Sequence, residues 1–76
     1  MDISDKCKKV ETKKDIIMFI ESLRTDLKTN EEEWENITLV HYLEAIEAWM
    51  TDTEKLSEEP SWKAFANILL SGKFYE

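Results

Sequence analysis

Six large apolar side chains, Leu39, Tyr42, Leu43, Ile46, Trp49 and Met50, recur through residues 34–50 at the three- and four-residue spacing of an α-helix. At about 100° per residue they fall on one arc roughly 120° wide, the width of a core-facing stripe. This pattern predicts the central helix of a small domain, with the other elements arranged around it. Val40, His41, Glu44, Ala45, Glu47 and Ala48 stand on its opposite side, where the two alanines allow close approach of another helix.

What surrounds that helix is constrained by turn chemistry. One glycine and one proline among 76 residues leave little material for hairpins, so the chain is expected to be all-α. Its length fits one domain, close to the lower limit at which an apolar core offsets chain entropy without a disulfide or metal. With 42% apolar residues against 36% charged, it belongs with folded chains, not disordered ones.

Residues 1–10 carry charges without a clear period, with Ile3, Cys7 and Val10 as the apolar members, and read as an extended or poorly ordered arm pinned at Val10. Thr12 followed by Asp15 has the spacing of a helix N-cap. The helix it starts places Ile16, Phe19, Ile20, Leu23 and Leu27 on one arc and ends at Asn30, a residue that tolerates the left-handed conformation of a C-cap. Asn30 and Glu33 also have capping-box spacing, so residues 30–34 read as one capped turn, with Trp34 as a lid whose indole N–H reaches a backbone carbonyl or water. Thr38 or Asn36 caps the next helix. Residues 51–59 form a polar connection anchored by Leu56.

Pro60 suits the first turn of a last helix, with Ser57 or Ser61 as a nearby cap. Here Trp62, Phe65, Ala66 and Leu69 form a stripe that Ile68 and Leu70 widen to an arc of roughly 200°. So wide an arc needs two neighbours, either the two earlier helices or one of them and a second molecule. Gly72 either ends this helix or sits inside one that runs on to residue 76.

Charge is distributed unevenly. Residues 1–30 hold seven bases and six acids, residues 31–60 hold one base and ten acids, and residues 61–76 hold two bases and one acid, which together give the net −7. An acidic middle third disfavours nucleic acid and anionic membrane surfaces, both of which need a basic footprint, and is compatible with a basic protein partner. Glu31, Glu32, Glu33 and Glu35, continued by Glu44 and Glu47, are the candidate partner-binding residues. Ile17 and Met18, which lie off the core arc of their helix, together with Ile68, give the alternative apolar contact.

Reactive chemistry is sparse. The four clustered glutamates lack the alternating ligands and turn glycine of a Ca²⁺ loop. His41 is the only imidazole, so neither a multi-histidine metal site nor a Cys/His triad fits within one molecule. His41 and Glu44, three residues apart, read as a surface pair, and Cys7 as a bystander thiol whose replacement, with that of His41, leaves the fold intact. One glycine makes no phosphate cradle. Neither an enzyme nor a cofactor or metal is expected. No apolar run is long enough for a signal peptide or a membrane span, and the single cysteine fits a cytoplasmic location.

Trp34-Glu35-Asn36-Ile37-Thr38-Leu39, then Tyr42-Leu43-Glu44-Ala45 and Ala48-Trp49, followed by Trp62, Phe65, Ala66 and Tyr75-Glu76, resembles a small family of bacterial proteins with no assigned activity. The resemblance covers most of residues 12–76 and implies a single-domain cytosolic protein, with no catalytic residue to carry over. The small acidic character is similar to that of many toxin-neutralising immunity proteins.

The expected architecture is a small single-domain bundle of three main helices, at about residues 12–29, 38–51 and 60–71, behind an arm over residues 1–11, with Trp34, Trp49 and Trp62 in one core. The expected function is a protein-interaction module of inhibitor or immunity type. The alternative is a homo-oligomeric structural protein, and a homodimer is compatible with either.

Overall fold

The computed structural model describes residues 2–54, 56 and 58–75, and among these are four α-helices, α1 (Ile3–Lys8), α2 (Lys13–Thr29), α3 (Leu39–Asp52) and α4 (Trp62–Phe74), with a 3₁₀ turn at Glu31–Glu33. No strand occurs among the described residues. The all-α expectation and the three longer helices hold. Ser57, weighed as a cap, and Glu76, the last residue of the family-like pattern, lie outside the described residues.

Local signals set the helix starts. Thr12 Oγ1 accepts from the Asp15 N–H at 3.1 Å while the Asp15 carboxylate accepts from the Thr12 N–H at 3.2 Å, a reciprocal capping box that opens α2. Thr38 accepts from His41 and Ser61 from Ala64, so side-chain oxygens satisfy first-turn amides of α3 and α4. Pro60 therefore stands just outside α4 and not in its first turn. Asn30 does end α2, but at φ −131° and not left-handed, and its amide donates to Asp26 Oδ1 instead of capping the turn that follows.

Residues 2–11 differ most from expectation. Where a poorly ordered arm was anticipated, Ile3, Cys7 and Val10 sit at helical spacing and are buried together with Ile16, Phe19 and Leu23 of α2, Trp34, and Ala66 of α4. The Cys7 thiol donates to Asn67 Oδ1 at 3.3 Å, tying α1 to α4. Its exposure is 1%, so this residue is a core side chain and not a bystander.

α4, not α3, is the central element. It packs against α1, α2 and α3, whereas α3 shares no contact with α1 or α2. The 200° apolar arc of α4 is covered at Ala66, Leu69 and Leu70, while Trp62 and Phe65 on the same arc stay exposed. α3 has one neighbour and is turned by about 50° from the orientation that its apolar arc predicted: Tyr42, Ile46 and Trp49 remain toward α4, Ala45 becomes buried, and Leu39, Leu43 and Met50 are exposed. Tyr42 sets this rotation, because its hydroxyl donates to the Leu69 carbonyl at 2.6 Å and its ring lies where a Cβ on Gly72 would sit, only 2.2 Å away. Gly72 lies inside α4 with an ordinary negative φ, so its role is close approach and not termination. Of the three tryptophans expected in one core, Trp34 is buried, Trp49 is half-buried, and Trp62 is 42% exposed.

Candidate protein-interaction face

The densest polar cluster lies where residues 34–36 meet the end of α4. Asp26, on the inner side of α2, accepts from Lys73 Nζ at 2.6 Å and Trp34 Nε1 at 2.8 Å through one oxygen, and from Asn30 through the other. Lys73 is 5% exposed at its side chain, and its ammonium lies 5.7 Å from the Trp34 ring centroid and 4.8 Å from that of Phe74. Burial alone raises the Asp26 carboxyl, but the three hydrogen bonds and the lysine charge outweigh it and hold the group below the ordinary carboxylate range. Beside this pair the Glu35 N–H donates to the Lys73 carbonyl, and Asn36 Nδ2 donates to the carbonyls of Gly72 at 3.1 Å and Tyr75 at 2.7 Å. The Trp-Glu-Asn stretch thereby closes the carbonyl end of α4, which a helix cannot satisfy by itself. No buried side-chain nitrogen or oxygen among the described residues lacks a partner. With its hydrogen bonds directed inside the fold, this cluster is a clamp between α2, residues 34–36 and the end of α4.

Sequence reading missed the clamp. Trp34 was expected to donate to a backbone carbonyl or water, and it donates to the Asp26 carboxylate. Asp26 and Lys73 stand 47 positions apart, and no local spacing connects them.

The candidate site residues fall on separate elements. Glu31, Glu32 and Glu33 form the 3₁₀ turn, and with Glu35 they are exposed, Glu31, Glu32 and Glu35 bordering a shallow depression with Trp34 and Ile37. Glu44 and Glu47 are exposed on α3. Ile17 and Met18 are exposed on α2, while half-buried Ile68 lies on α4, lining a different surface from Met18. Burial pushes the Cys7 thiol up, with Lys63 pulling the other way, so the one thiol is shielded and weakly ionised. His41 is exposed on α3. No three His, Cys, Asp or Glu side chains among the described residues are grouped so that they could hold a metal ion. No helix among the described residues is long and apolar enough to cross a membrane.

The outer face of α3 joins Leu39, Leu43 and Met50, which the sequence assigns to the core, to Val40, Glu44 and Glu47, which lie outward as expected. Leu39 is 72% exposed, Val40 63% and Leu43 55%, with Met50 continuing the row one turn beyond Ile46. Met50 also lines an open groove of about 870 Å³ between the end of α3, the connecting residues Thr53, Leu56, Glu58 and Pro60, and the start of α4, whose apolar wall is Leu56, Trp62, Phe65 and Ile68. The α3 row and the groove are thus one surface, joined at Met50. Its charges are of one sign on α3, where Glu44 and Glu47 flank Leu43 and no lysine or arginine occurs, and Glu11 and Glu58 stand at the groove. Such a surface can exclude water from an apolar partner and attract a basic one.

No curated protein and no solved structure matches the chain. A model described as a family of unknown function (DUF7660) matches residues 12–76, which take in α2, the 3₁₀ turn, α3 and α4, and the chain belongs to that family.

Proposed function

We propose that this chain is a non-enzymatic protein-interaction module, of inhibitor or immunity type, that presents the outer face of α3 and the adjoining groove to a protein partner of basic and apolar character. The observation that carries this reading is the exposed row Leu39, Leu43 and Met50 and its continuity with Trp62 and Phe65 across the groove. Together these side chains and Val40 make a row of exposed large apolar groups, and apolar patches of this kind mark interaction sites more often than scattered surface residues do. Glu44 and Glu47 beside the row supply the electrostatic half of recognition, so the association rate falls with added salt. The acidic turn at Glu31, Glu32, Glu33 and Glu35 then adds long-range attraction without being the contact itself. A homo-oligomeric role is the second reading, favoured by the additional exposed pair Ile17 and Met18 on α2.

Capture from the source cell tests the proposal, using the parent chain, a Leu39→Ser/Leu43→Ser variant, and a variant with Glu31, Glu32, Glu33 and Glu35 all changed to Gln. The serine variant is expected to lose a protein that the parent retains, while the glutamine variant keeps it with weaker salt sensitivity. Identical bound proteins with parent and serine variant would remove α3 as the contact face.

A further inference from the structure

We infer that the outer face of α3 docks on the outer face of α2 in a second copy of the chain, so that molecules associate head to tail through two different surfaces. This rests on the reading of α3 as a contact face and names an occupant for it. The outward side of α2 has the chemistry that α3 lacks: Lys13, Lys14, Arg24 and Lys28 against the single acid Glu21, with Ile17 and Met18 exposed among them. One face is acidic and apolar, the other basic and apolar. They are also similar in length, since 17 and 14 residues at about 1.5 Å each make rods of about 25 and 21 Å.

The two faces do not meet within one molecule. Both helices pack on α4 and share no contact, so each face is open in the isolated chain. Pairing like with like is unfavourable: α3 on α3 brings Glu44 and Glu47 of both copies to one seam without a base, and α2 on α2 does the same with lysines. Only the crossed pairing places Lys13 and Lys14, one turn before Ile17 and Met18, against the acids that flank Leu43. Such a contact uses one surface at each end and leaves the other free, so growth continues past the dimer unless the ring closes. Its area is that of one helix pair, below the roughly 800 Å² per partner of a standard interface, so the association is weak and salt-sensitive.

Sedimentation velocity of the full chain, from about 10 µM to about 0.5 mM and in low and high salt, reads this directly, because contacts of this size hold at micromolar to millimolar concentrations. The parent's average mass is expected to rise with concentration in low salt and return toward the monomer in high salt. Glu44→Lys/Glu47→Lys and Lys13→Glu/Lys14→Glu, each of which reverses one face, are expected to remain monomeric alone, with unchanged circular dichroism. Their equimolar mixture, and the chain carrying all four substitutions, are expected to associate again because the faces once more differ in sign. A parent chain that stays monomeric throughout in low salt overturns the inference, and so does a parent that associates while the mixture and the fourfold variant do not. Either result leaves α3 available to a foreign protein. If Leu39→Ser/Leu43→Ser changes neither self-association nor capture, the reading of α3 as a contact face falls as well.

Discussion

Gly72 shows how one position can reverse a general preference. Inside a helix, glycine is less favourable than alanine by about 1 kcal/mol, yet a Cβ here would sit 2.2 Å from the Tyr42 ring. Gly72→Ala is therefore expected to destabilise by about 1 to 3 kcal/mol, the cost of overpacking, and to become neutral or stabilising when Tyr42→Ala removes the ring. Chemical denaturation of the two single variants and the double variant checks the reversal. Asp26 is the second such position. Its carboxyl titrates lower in the folded chain than in the unfolded one, so the charged form stabilises the fold above about pH 4, the unfolded value, and that contribution disappears as pH falls through the folded value. Asp26→Asn leaves Lys73 buried without its counter-charge and is expected to cost about 3 kcal/mol at neutral pH. The gap between parent and variant should narrow below about pH 4, a trend that denaturant midpoints measured from pH 7 to pH 3 would reveal.

At the scale of elements, α1 is the piece whose removal is most informative. It places Ile3 and Cys7, with Val10 just beyond it, against α2 and α4, although the family match begins only at residue 12. Deleting residues 1–10 is expected to lower stability by at least about 3 kcal/mol, since a single fully buried Val or Ile contributes about 1.5 to 3, and to open to water the buried cluster that Cys7 shares with α2 and α4. A thermal melt of the shortened chain tests this; an unchanged midpoint would return the segment to the status of an arm. The signal for α1 was present in the sequence, because residues 3, 7 and 10 are spaced as one helical stripe, but three apolar residues among five charges are a weak pattern. Caps were easier to read: Thr12 with Asp15 and Thr38 act as their types and spacings suggest. The rotation of α3 was not legible, because an apolar arc is compatible equally with a core and with a partner face. What separates the two is the fit of Tyr42 on Gly72, a contact between residues 30 positions apart that periodicity along one helix does not encode. Arc width was the better guide to position, since the broad arc of α4 corresponds to the helix with three neighbours.

Over the whole molecule, charge and connectivity act on stability in different ways. The net charge of −7 arises from residues 31–60, and self-repulsion of that excess opposes folding at neutral pH. Raising ionic strength from about 0.02 to 0.5 M, which shortens the Debye length to a few ångströms, is expected to raise the melting temperature. A midpoint that falls instead would mean that attractive surface pairs outweigh the repulsion. Connectivity bears on rates. The clamp joins Asp26 to Lys73, 47 positions apart, and Asn36 to Gly72 and Tyr75, so it closes only after the long stretch that holds α3 and α4 has been gathered between its ends. Contacts of such long sequence separation form late, when the cost of loop closure has already been met. Asp26→Asn and Asn36→Ala should therefore leave the refolding limb of a chevron plot nearly in place and steepen the rate of escape from the native state, with φ-values near zero. The Trp-Glu-Asn turn on this account governs the lifetime of a folded molecule, and hence how long it survives proteolysis, and has little influence on how quickly the molecule is made.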